Sequence, residues 1–253
     1  MPLPFKIRSV STYAAIAAMA GLLAACGGSS DSGPAATAVS GTAAVGDPLV
    51  GAQVAMTCAD GNTITGTTNA AGVYTTNAID FRLPCIGQAT KAPTVLRGIL
   101  FSGSSANFTP LTDILVEVVL AAAAPGPASM TLTEFLAKIR ADATFAENVS
   151  RQNAVVSYRN TVVDIAREKL RAAGLSEAML GAMLNASFES ALFAANPNDP
   201  LDKLLENLRT VLQDANGNVI TAVLDDAEAA GDELPTPAST GTGGTGGTGG
   251  TGT

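Results

Sequence analysis

The chain contains neither histidine nor tryptophan among its 253 residues. The absence of histidine excludes Ser-His-Asp and Cys-His catalysis, together with zinc sites that use an imidazole ligand. Aromatic residues make up only 4% of the chain, so grooves that bind sugars or bases by stacking are poorly supplied. We therefore expect no cofactor and no metal site, and a binding or structural role rather than an enzyme.

Basic residues are also scarce, with 14 Lys and Arg against 22 Asp and Glu and a formal net charge of −8. Lys6 and Arg8 are the only charged residues before residue 26. A chain that begins at residue 26 therefore keeps 14 − 2 = 12 basic and 22 acidic residues, a net charge of −10. An acidic body is a poor ligand for nucleic acid, whose affinity comes from neutralised phosphates, so no nucleic-acid partner is expected.

The first 25 residues have the organisation of a secretory signal. Lys6 and Arg8 precede a run of small and apolar residues over 13–25, which is too short for a permanent membrane span. The end of this run, Leu23-Ala24-Ala25-Cys26, resembles the lipobox of bacterial lipoproteins. The resemblance implies cleavage before Cys26 and fatty acylation of that residue, such as palmitoylation, which makes the lipid bilayer a partner. The alternative is ordinary secretion with cleavage after Ala25 and a free thiol.

Residues 26–37 read as a flexible Gly/Ser-rich tether between the anchor and a folded body. Acyl chains contribute about 0.8 kcal/mol for each buried methylene, so two or more chains hold a protein stably at a membrane. Gly27, rather than aspartate, follows the cysteine. In the enterobacterial version of the lipoprotein family this implies export to the outer membrane.

Only three cysteines are present. If Cys26 carries lipid, Cys58 and Cys85 remain, and an even pair in an exported protein predicts a disulfide. The alternative is two reactive thiols, although no Cys-x-x-Cys spacing supports redox chemistry.

Residues 38–105 are predicted to form a small antiparallel β-domain. Gln53 to Cys58 alternates polar and apolar residues with the period of a half-buried strand, and Asp60-Gly61 is typical of a tight hairpin turn. The segment resembles a carboxypeptidase-regulatory-like domain, which implies a non-catalytic transthyretin/Ig-like β-sandwich. The residues that carry this resemblance are Val39-x-Gly41, Pro48-Leu49-x-Gly51-Ala52-x-Val54, Asp60-Gly61 and Thr67-Thr68-Asn69-x-x-Gly72-x-Tyr74. The stretch over 79–88 is less regular, and we expect Cys85 to lie there in a loop bonded to the Cys58 strand.

Residues 106–232 are predicted to form an α-helical bundle, because they are rich in Ala and Leu with helical periodicity. Thr109-Pro110 and Asp199-Pro200 are typical helix starts, and Thr131 with Glu134 fits a capping box. We predict helices over 110–123, 131–143, 147–173, 176–194, 200–214 and 219–229. An apolar stripe is expected on the fourth helix, formed by Met179, Leu180, Met183, Leu184, Phe188 and Leu192. Residues 233–253 read as a disordered Gly/Thr-rich tail.

Two groups of side chains invite a chemical interpretation. Asp113 and Glu117 share a helix face and have the spacing of an acid/base pair, but no nucleophile or oxyanion donor accompanies them. Asp214, Asn216 and Asn218 have the oxygen spacing of a calcium loop, with Asp225 at the twelfth position. Val219 stands where that loop needs glycine, so a turn between two helices is the simpler interpretation.

The sequence therefore predicts a multidomain α+β protein, in which a β-sandwich is followed by a helical bundle. The predicted function is that of a non-catalytic lipoprotein of the bacterial cell envelope that binds or scaffolds an unidentified protein or glycan. The alternative functions are an accessory subunit of a secretion or envelope-assembly complex and, less favoured, a hydrolase.

Overall fold

The computed structural model describes residues 36–124, 126, 129–178, 180 and 187–240. This part of the chain contains two small antiparallel sheets and six helices, which confirms the α+β class. The predicted signal peptide, Cys26 and residues 241–253 lie outside it. The strands are β1 (Ser40–Thr42), β2 (Gln53–Cys58), β3 (Thr63–Thr67), β4 (Val73–Thr75), β5 (Cys85–Lys91) and β6 (Thr94–Leu100). The helices are α1 (Pro110–Ala123), α2 (Leu132–Ala141), α3 (Ala143–Val149), α4 (Gln152–Ala172), α5 (Pro200–Leu212) and α6 (Thr221–Asp232).

The larger sheet has the strand order β3-β2-β5-β6, and all neighbours are antiparallel. In β2 the side chains of Val54, Met56 and Cys58 are buried, which confirms the predicted alternation. The turn from β2 to β3 is also as predicted. Gly61 has a φ of +89°, which glycine adopts without strain, and the Asp60 carboxylate accepts the Asn62 amide at 3.0 Å.

The smaller sheet pairs β1 with β4. Residues 104–108 then run parallel to β1 on its other side, where the Ala106 amide donates to Ser40 O at 2.9 Å and the Phe108 amide donates to Thr42 O at 2.9 Å. The Tyr74 hydroxyl donates to Ala106 O at 2.7 Å. The backbones of β1 and of 104–108 approach so closely that a Cβ at Gly41 would lie 1.7 Å from Ala106 O.

Apolar side chains cover both faces of the larger sheet. Residues of both sheets share one cluster, which includes Val54 and Leu96 of the larger sheet and Tyr74 of the smaller one. On the opposite face, Ile86 and Ile99 belong to a second cluster that is formed mainly by the helices. The domain boundary predicted at 105/106 stays a prediction.

Helix α1 lies at the centre of the helical cluster. The Thr109 hydroxyl accepts the Thr112 amide and Pro110 occupies the first turn, as the sequence predicts. Every residue of α1 except Glu117 is buried, as expected for a helix that is apolar all round. It packs against β6 and against α4 and α6.

The predicted helix over 147–173 is wrong at its start. The chain forms α3 and α4 instead, with a break at Ser150 and Arg151. The physical reason is a cap inside the preceding segment, because the Asp142 carboxylate accepts the Phe145 amide at 3.0 Å. This cap ends α2 and starts α3 one turn before the predicted position.

The predicted helix over 176–194 is also wrong at both ends, although Leu180 within it is helical. Residues 175–177 and 191–194 have no regular structure, and residues 188–190 form a turn. Leu180 and Phe188 of the predicted apolar stripe are buried, whereas Leu192 is 87% exposed. Met179, Met183 and Leu184 lie outside the described residues.

Two further expectations need correction. Cys85 does not lie in an irregular loop, because it begins β5 and stands directly opposite Cys58 of β2. Composition predicts a disordered tail over 233–253, but residues 234–240 pack on the helices: Asn148 Nδ2 donates to Ala238 O at 2.8 Å, and the Thr240 amide donates to Asp142 at 3.0 Å.

The close approach at Gly41 predicts a steric cost for any side chain there. Gly41→Ala is expected to lower the free energy of unfolding by about 1–3 kcal/mol, because the backbone of 104–108 must move away from β1. Chemical denaturation measures this loss. Gly126→Ala is the control, since a Cβ at Gly126 meets no atom within 4 Å. Equal stability of the two variants would contradict the prediction.

Candidate functional site

The predicted disulfide is present. Cys58 and Cys85 are both fully buried and bond to each other across β2 and β5, with their Cα atoms 3.9 Å apart. Their separation of 27 residues corresponds to a stabilisation of about 3–4 kcal/mol in the chain-entropy treatment of the unfolded state. The bond uses two of the three cysteines in the sequence and leaves Cys26 without a partner cysteine in its own chain.

The structure brings Asp113 and Glu117 together, as their spacing predicts, but around a cation. Arg97 projects from β6 towards α1 and donates from Nε to Asp113 Oδ1 and from Nη1 to Glu117 Oε2, the second contact at 2.7 Å. Asp113 is buried and Glu117 is mostly so, with side-chain exposures of 7% and 14%. The pair is therefore an ion-pair network rather than an open acid and base.

Glu117 extends this network towards α6 through Ser129. The Ser129 hydroxyl donates to Glu117 Oε1 at 3.2 Å, and the Ser129 amide donates to Glu228 Oε1 on α6 at 3.0 Å. One chain of hydrogen bonds thus links the sheet, the central helix and α6. Burial raises the pKa of Asp113, and the neighbouring Arg97 guanidinium acts against that rise by favouring the carboxylate.

The Asp214 segment forms the predicted turn. Asp214 Oδ1 accepts the amides of Asn216 and Asn218 at 2.8 and 3.0 Å, and Gly217 has a φ of +79°. Asn218 Oδ1 accepts the Val95 amide at 2.8 Å, so the turn docks on the β5–β6 hairpin. The Asp214 and Asn218 side-chain oxygens therefore accept backbone amides of the fold. No cluster of three Asp, Glu or Cys side chains with metal-binding geometry occurs among the described residues.

Asn107 is a buried polar residue whose role sequence reasoning missed. Its Oδ1 accepts the Thr42 amide at 3.0 Å, and its Nδ2 donates to Phe188 O at 2.9 Å and to Ala191 O at 2.7 Å. The side chain therefore fastens residues 187–193 to β1. The available signal was a single asparagine directly before the Phe108-Thr109-Pro110 helix start.

A group of open depressions surrounds the loop at 79–83, beside the disulfide. Three of them, of about 640, 570 and 460 Å³, share Arg82 as a lining residue. Arg140 lines the depression of about 570 Å³, and Arg151 lines the one of about 460 Å³. Carboxylates come from Asp60, Asp80 and Glu147. The surface is amphoteric and presents charged and apolar side chains together.

A smaller cavity of about 240 Å³ lies between the first turns of α4 and residues 234–238, which we call the C-terminal strap. Its polar lining residues are Asn148, Arg151, Asn153, Ser157 and Tyr158. Burial raises the pKa of Tyr158 to about 12, which keeps its hydroxyl protonated at neutral pH.

Asp202 on α5 is a buried carboxylate whose Oδ1 has no hydrogen-bond partner. Burial raises its pKa to about 6, with further contributions from Glu206, Asp199 and Asp47. Among the residues that the structure describes, the cation paired with these four carboxylates is Arg209, which binds Asp47 at 3.0 Å. Asp202 is therefore an electrostatic cost in the folded state at neutral pH.

Comparisons with protein-family models, curated proteins and solved structures find no match for this chain. No helix within the described ranges combines the length and the apolar character needed to cross a membrane.

The Arg97 network predicts a large effect of removing its cation. Arg97→Met is expected to lower the free energy of unfolding by about 3 kcal/mol, because two buried carboxylates lose their counter-charge. Chemical denaturation at neutral pH measures the loss. Arg167→Met, which breaks the more exposed pairs with Asp164 and Glu177, is the matched control and is expected to cost less than about 1 kcal/mol.

A second variant separates the effect of the unpaired charges from the effect of lost side-chain packing. The triple variant Arg97→Met, Asp113→Leu, Glu117→Met removes all three charges and is expected to recover much of the lost stability. A loss in Arg97→Met no larger than that of Arg167→Met would contradict the structural role of the network.

The raised pKa of Asp202 predicts that the stability of the fold depends on pH. Its folded pKa of about 6 lies above the ordinary value of 3.8, so the folded state binds more protons between these pH values and stability falls as pH rises through them. Asp202→Asn is therefore expected to raise the melting temperature at pH 7 by about 2–4 °C, and to lose this advantage near pH 4. Thermal denaturation across that range tests this, with the exposed Asp225→Asn as control. An advantage that does not change with pH would contradict it.

Proposed function

We propose that this protein is a lipid-anchored, non-catalytic lipoprotein of the bacterial envelope, exported to the outer membrane, that binds or scaffolds a partner near the bilayer. The observation that carries the proposal is the pairing of two of the three cysteines. Cys58 and Cys85 bond to each other, and the remaining cysteine, Cys26, is the one that ends the lipobox-like Leu-Ala-Ala-Cys motif. A structural disulfide is also typical of exported rather than cytosolic proteins.

The chain geometry supports an anchored body. The described fold begins at residue 36, and Thr37 pairs with Ile79 beside the 79–83 loop. Ten residues of chain reach at most about 35 Å, so acyl chains on Cys26 limit the distance between residue 36 and the lipid surface to about that length. The depressions around Arg82 are therefore the surface that we assign to the partner.

The assignment of the fold to a known architecture is part of the same proposal. We assign the two sheets to a β-sandwich that resembles carboxypeptidase-regulatory-like domains, followed by a helical bundle. The shared apolar cluster between the sheets supports this assignment. So do the motif glycines, because Gly51, Gly61 and Gly72 all have positive φ values and Gly41 allows the close approach of two backbones.

The absence of catalysis in this proposal is supported by the hydrogen bonds of Asp113 and Glu117, the two carboxylates that have the spacing of an acid/base pair. Arg97 and Ser129 occupy the oxygens with which Asp113 and Glu117 would transfer protons. A general acid or base must reach the reacting group of a substrate, and these carboxylates face a guanidinium inside the fold instead.

Mass spectrometry of the amino-terminal peptide from the producing cell tests the anchor. The expected result is a peptide that starts at Cys26 and carries a diacylglyceryl group and a further fatty acyl chain. Cys26→Ser is expected to move the protein from the membrane fraction to the soluble fraction, because the hydrophobic anchor is lost.

The double variant Cys58→Ser, Cys85→Ser is the control, since it removes two thiols without touching the anchor. It is expected to remain with the membrane although its fold is less stable. A freely soluble mature chain with a bare Cys26 thiol would overturn the proposal.

A further inference from the structure

The ion pairs of the fold divide its arginines into two groups. Of the eight arginines in the described part of the chain, five bond to carboxylates, namely Arg97, Arg159, Arg167, Arg171 and Arg209. Arg82, Arg140 and Arg151 form no ion pair with any described carboxylate. All three line the depressions around the 79–83 loop, and we call these three residues with the loop the arginine surface. The guanidinium groups that the fold leaves without a counter-charge are therefore gathered in one place.

Two of these guanidinium groups meet at the turn between β2 and β3. Arg82 Nη2 donates to Ala59 O at 2.8 Å. The Arg140 guanidinium lies against Gly61 of the same turn, because a Cβ at Gly61 would be 3.0 Å from Arg140 Nη2. A guanidinium has several N–H donors, so this contact leaves the other donors of Arg82 for an external acceptor.

The carboxylates at the same surface oppose this positive charge only in part. Asp60 accepts the Asn62 amide, the Asn62 side-chain amide and the Arg82 amide, each at 3.0 Å, so hydrogen bonds already stabilise its charge. The two depressions between the loop and helices α2 and α3 are lined by three arginines, Asp60 and Glu147, a formal charge of 3 − 2 = +1. Asp80 lines only the third depression. The region beside α2 and α3 is thus positive on a chain whose net charge is −8.

The described chain begins at the edge of the arginine surface. The Thr37 amide donates to Ile79 O at 2.9 Å, and both residues line the depression of about 640 Å³. The limit of about 35 Å between an anchored Cys26 and residue 36 therefore applies to this edge. An anchor on Cys26 acts on the body from the same side as the arginines.

We propose that the arginine surface binds the phosphate groups of anionic lipids and so turns this face of the body towards the bilayer. Lipid phosphates match the surface in charge, and their oxygens accept the paired N–H donors of a guanidinium. Ile79, Phe81 and Leu83 lie half-buried beside the arginines and suit the boundary between headgroups and acyl chains. The inference rests on the anchor of the proposed function and names the lipid itself as the partner of this surface.

Co-sedimentation with lipid vesicles tests the inference. The chain used is residues 26–253 with Cys26→Ser, which keeps every described residue and cannot be acylated, so its binding is measured apart from the anchor. Vesicles of phosphatidylcholine with about 30% phosphatidylglycerol are expected to bind the protein at least about fivefold more tightly than phosphatidylcholine alone. About 0.5 M salt is expected to remove this preference, because it screens the attraction between the guanidinium groups and the phosphates.

Two variants with the same net charge locate the contact. An arginine near an anionic surface contributes about fivefold in binding, which corresponds to about 1 kcal/mol. The first variant removes the arginines of the surface and is expected to bind anionic vesicles at least about tenfold more weakly: Arg82→Gln, Arg140→Gln, Arg151→Gln. The second variant removes arginines that form ion pairs elsewhere, and its binding is expected to change less than about twofold: Arg167→Gln, Arg171→Gln, Arg209→Gln.

A third variant is expected to gain affinity, which no loss of folding could produce. Asp80→Asn with Glu147→Gln removes two exposed carboxylates that oppose the arginines at the same surface. Binding to the anionic vesicles is expected to become at least about fivefold tighter, because less repulsion acts against the lipid phosphates.

Four results would overturn the inference. Equal binding to both kinds of vesicle would remove the electrostatic argument. Equal losses in the first and second variants would reduce the effect to net charge, and no gain in the third would place the contact elsewhere. Displacement by poly-L-glutamate at a lower concentration of charged groups than the vesicles present would assign the surface to an acidic protein instead. A preference for anionic vesicles in a protein whose native Cys26 lacks acyl chains would remove the proposed anchor and leave this inference standing.

Discussion

The Arg97 ion pair is the interaction on which the described body depends. Helix α1 is buried on every side, and yet it carries Asp113 and Glu117 on the face towards the sheet. These carboxylates lose water when α1 packs, and the Arg97 guanidinium on β6 is what compensates them. Since α4 and α6 pack on α1, the same pair indirectly positions the rest of the helical cluster. The charged contact joins one residue of β6 to two positions one turn apart on α1.

Short polar side chains perform a related task for segments without regular structure. Asn107 holds two carbonyls of residues 187–193, Asn218 docks the 214–218 turn on the β5–β6 hairpin, and Asn148 holds the strap. Buried or packed backbone outside helices and strands needs such partners, because its amides and carbonyls have no ladder to join. Amide side chains act here beside apolar anchors, since Phe188 and Phe193 of the same irregular segment are buried in the core.

The sequence predicted those features whose physical cause is local. Thr109, Thr131 and Asp199 cap helices where their own neighbours dictate, and the Asp60-Gly61 turn depends on two residues. The start of α3 was missed although Asp142 carries the signal of a cap, and the break between α3 and α4 has no such signal, because no side chain caps the start of α4. The Arg97 network was missed for a different reason. An arginine in a strand is ordinarily solvated, and its partners lie 16 and 20 residues away, brought to it only by the packing of α1.

Five of the described residues keep a buried polar side-chain atom without a hydrogen-bond partner, namely Ser105, Ser150, Tyr158, Asp202 and Gln213. Asp202 is surrounded by Glu206, Asp199 and Asp47, so taking up a proton relieves its cost, and no ligand is needed. Tyr158 stays neutral because burial keeps its hydroxyl protonated, so its cost is that of an unmade hydrogen bond and does not change near neutral pH. Asp202 is therefore the one among these five whose cost a proton relieves near neutral pH, which makes the stability of the described fold depend on pH through α5.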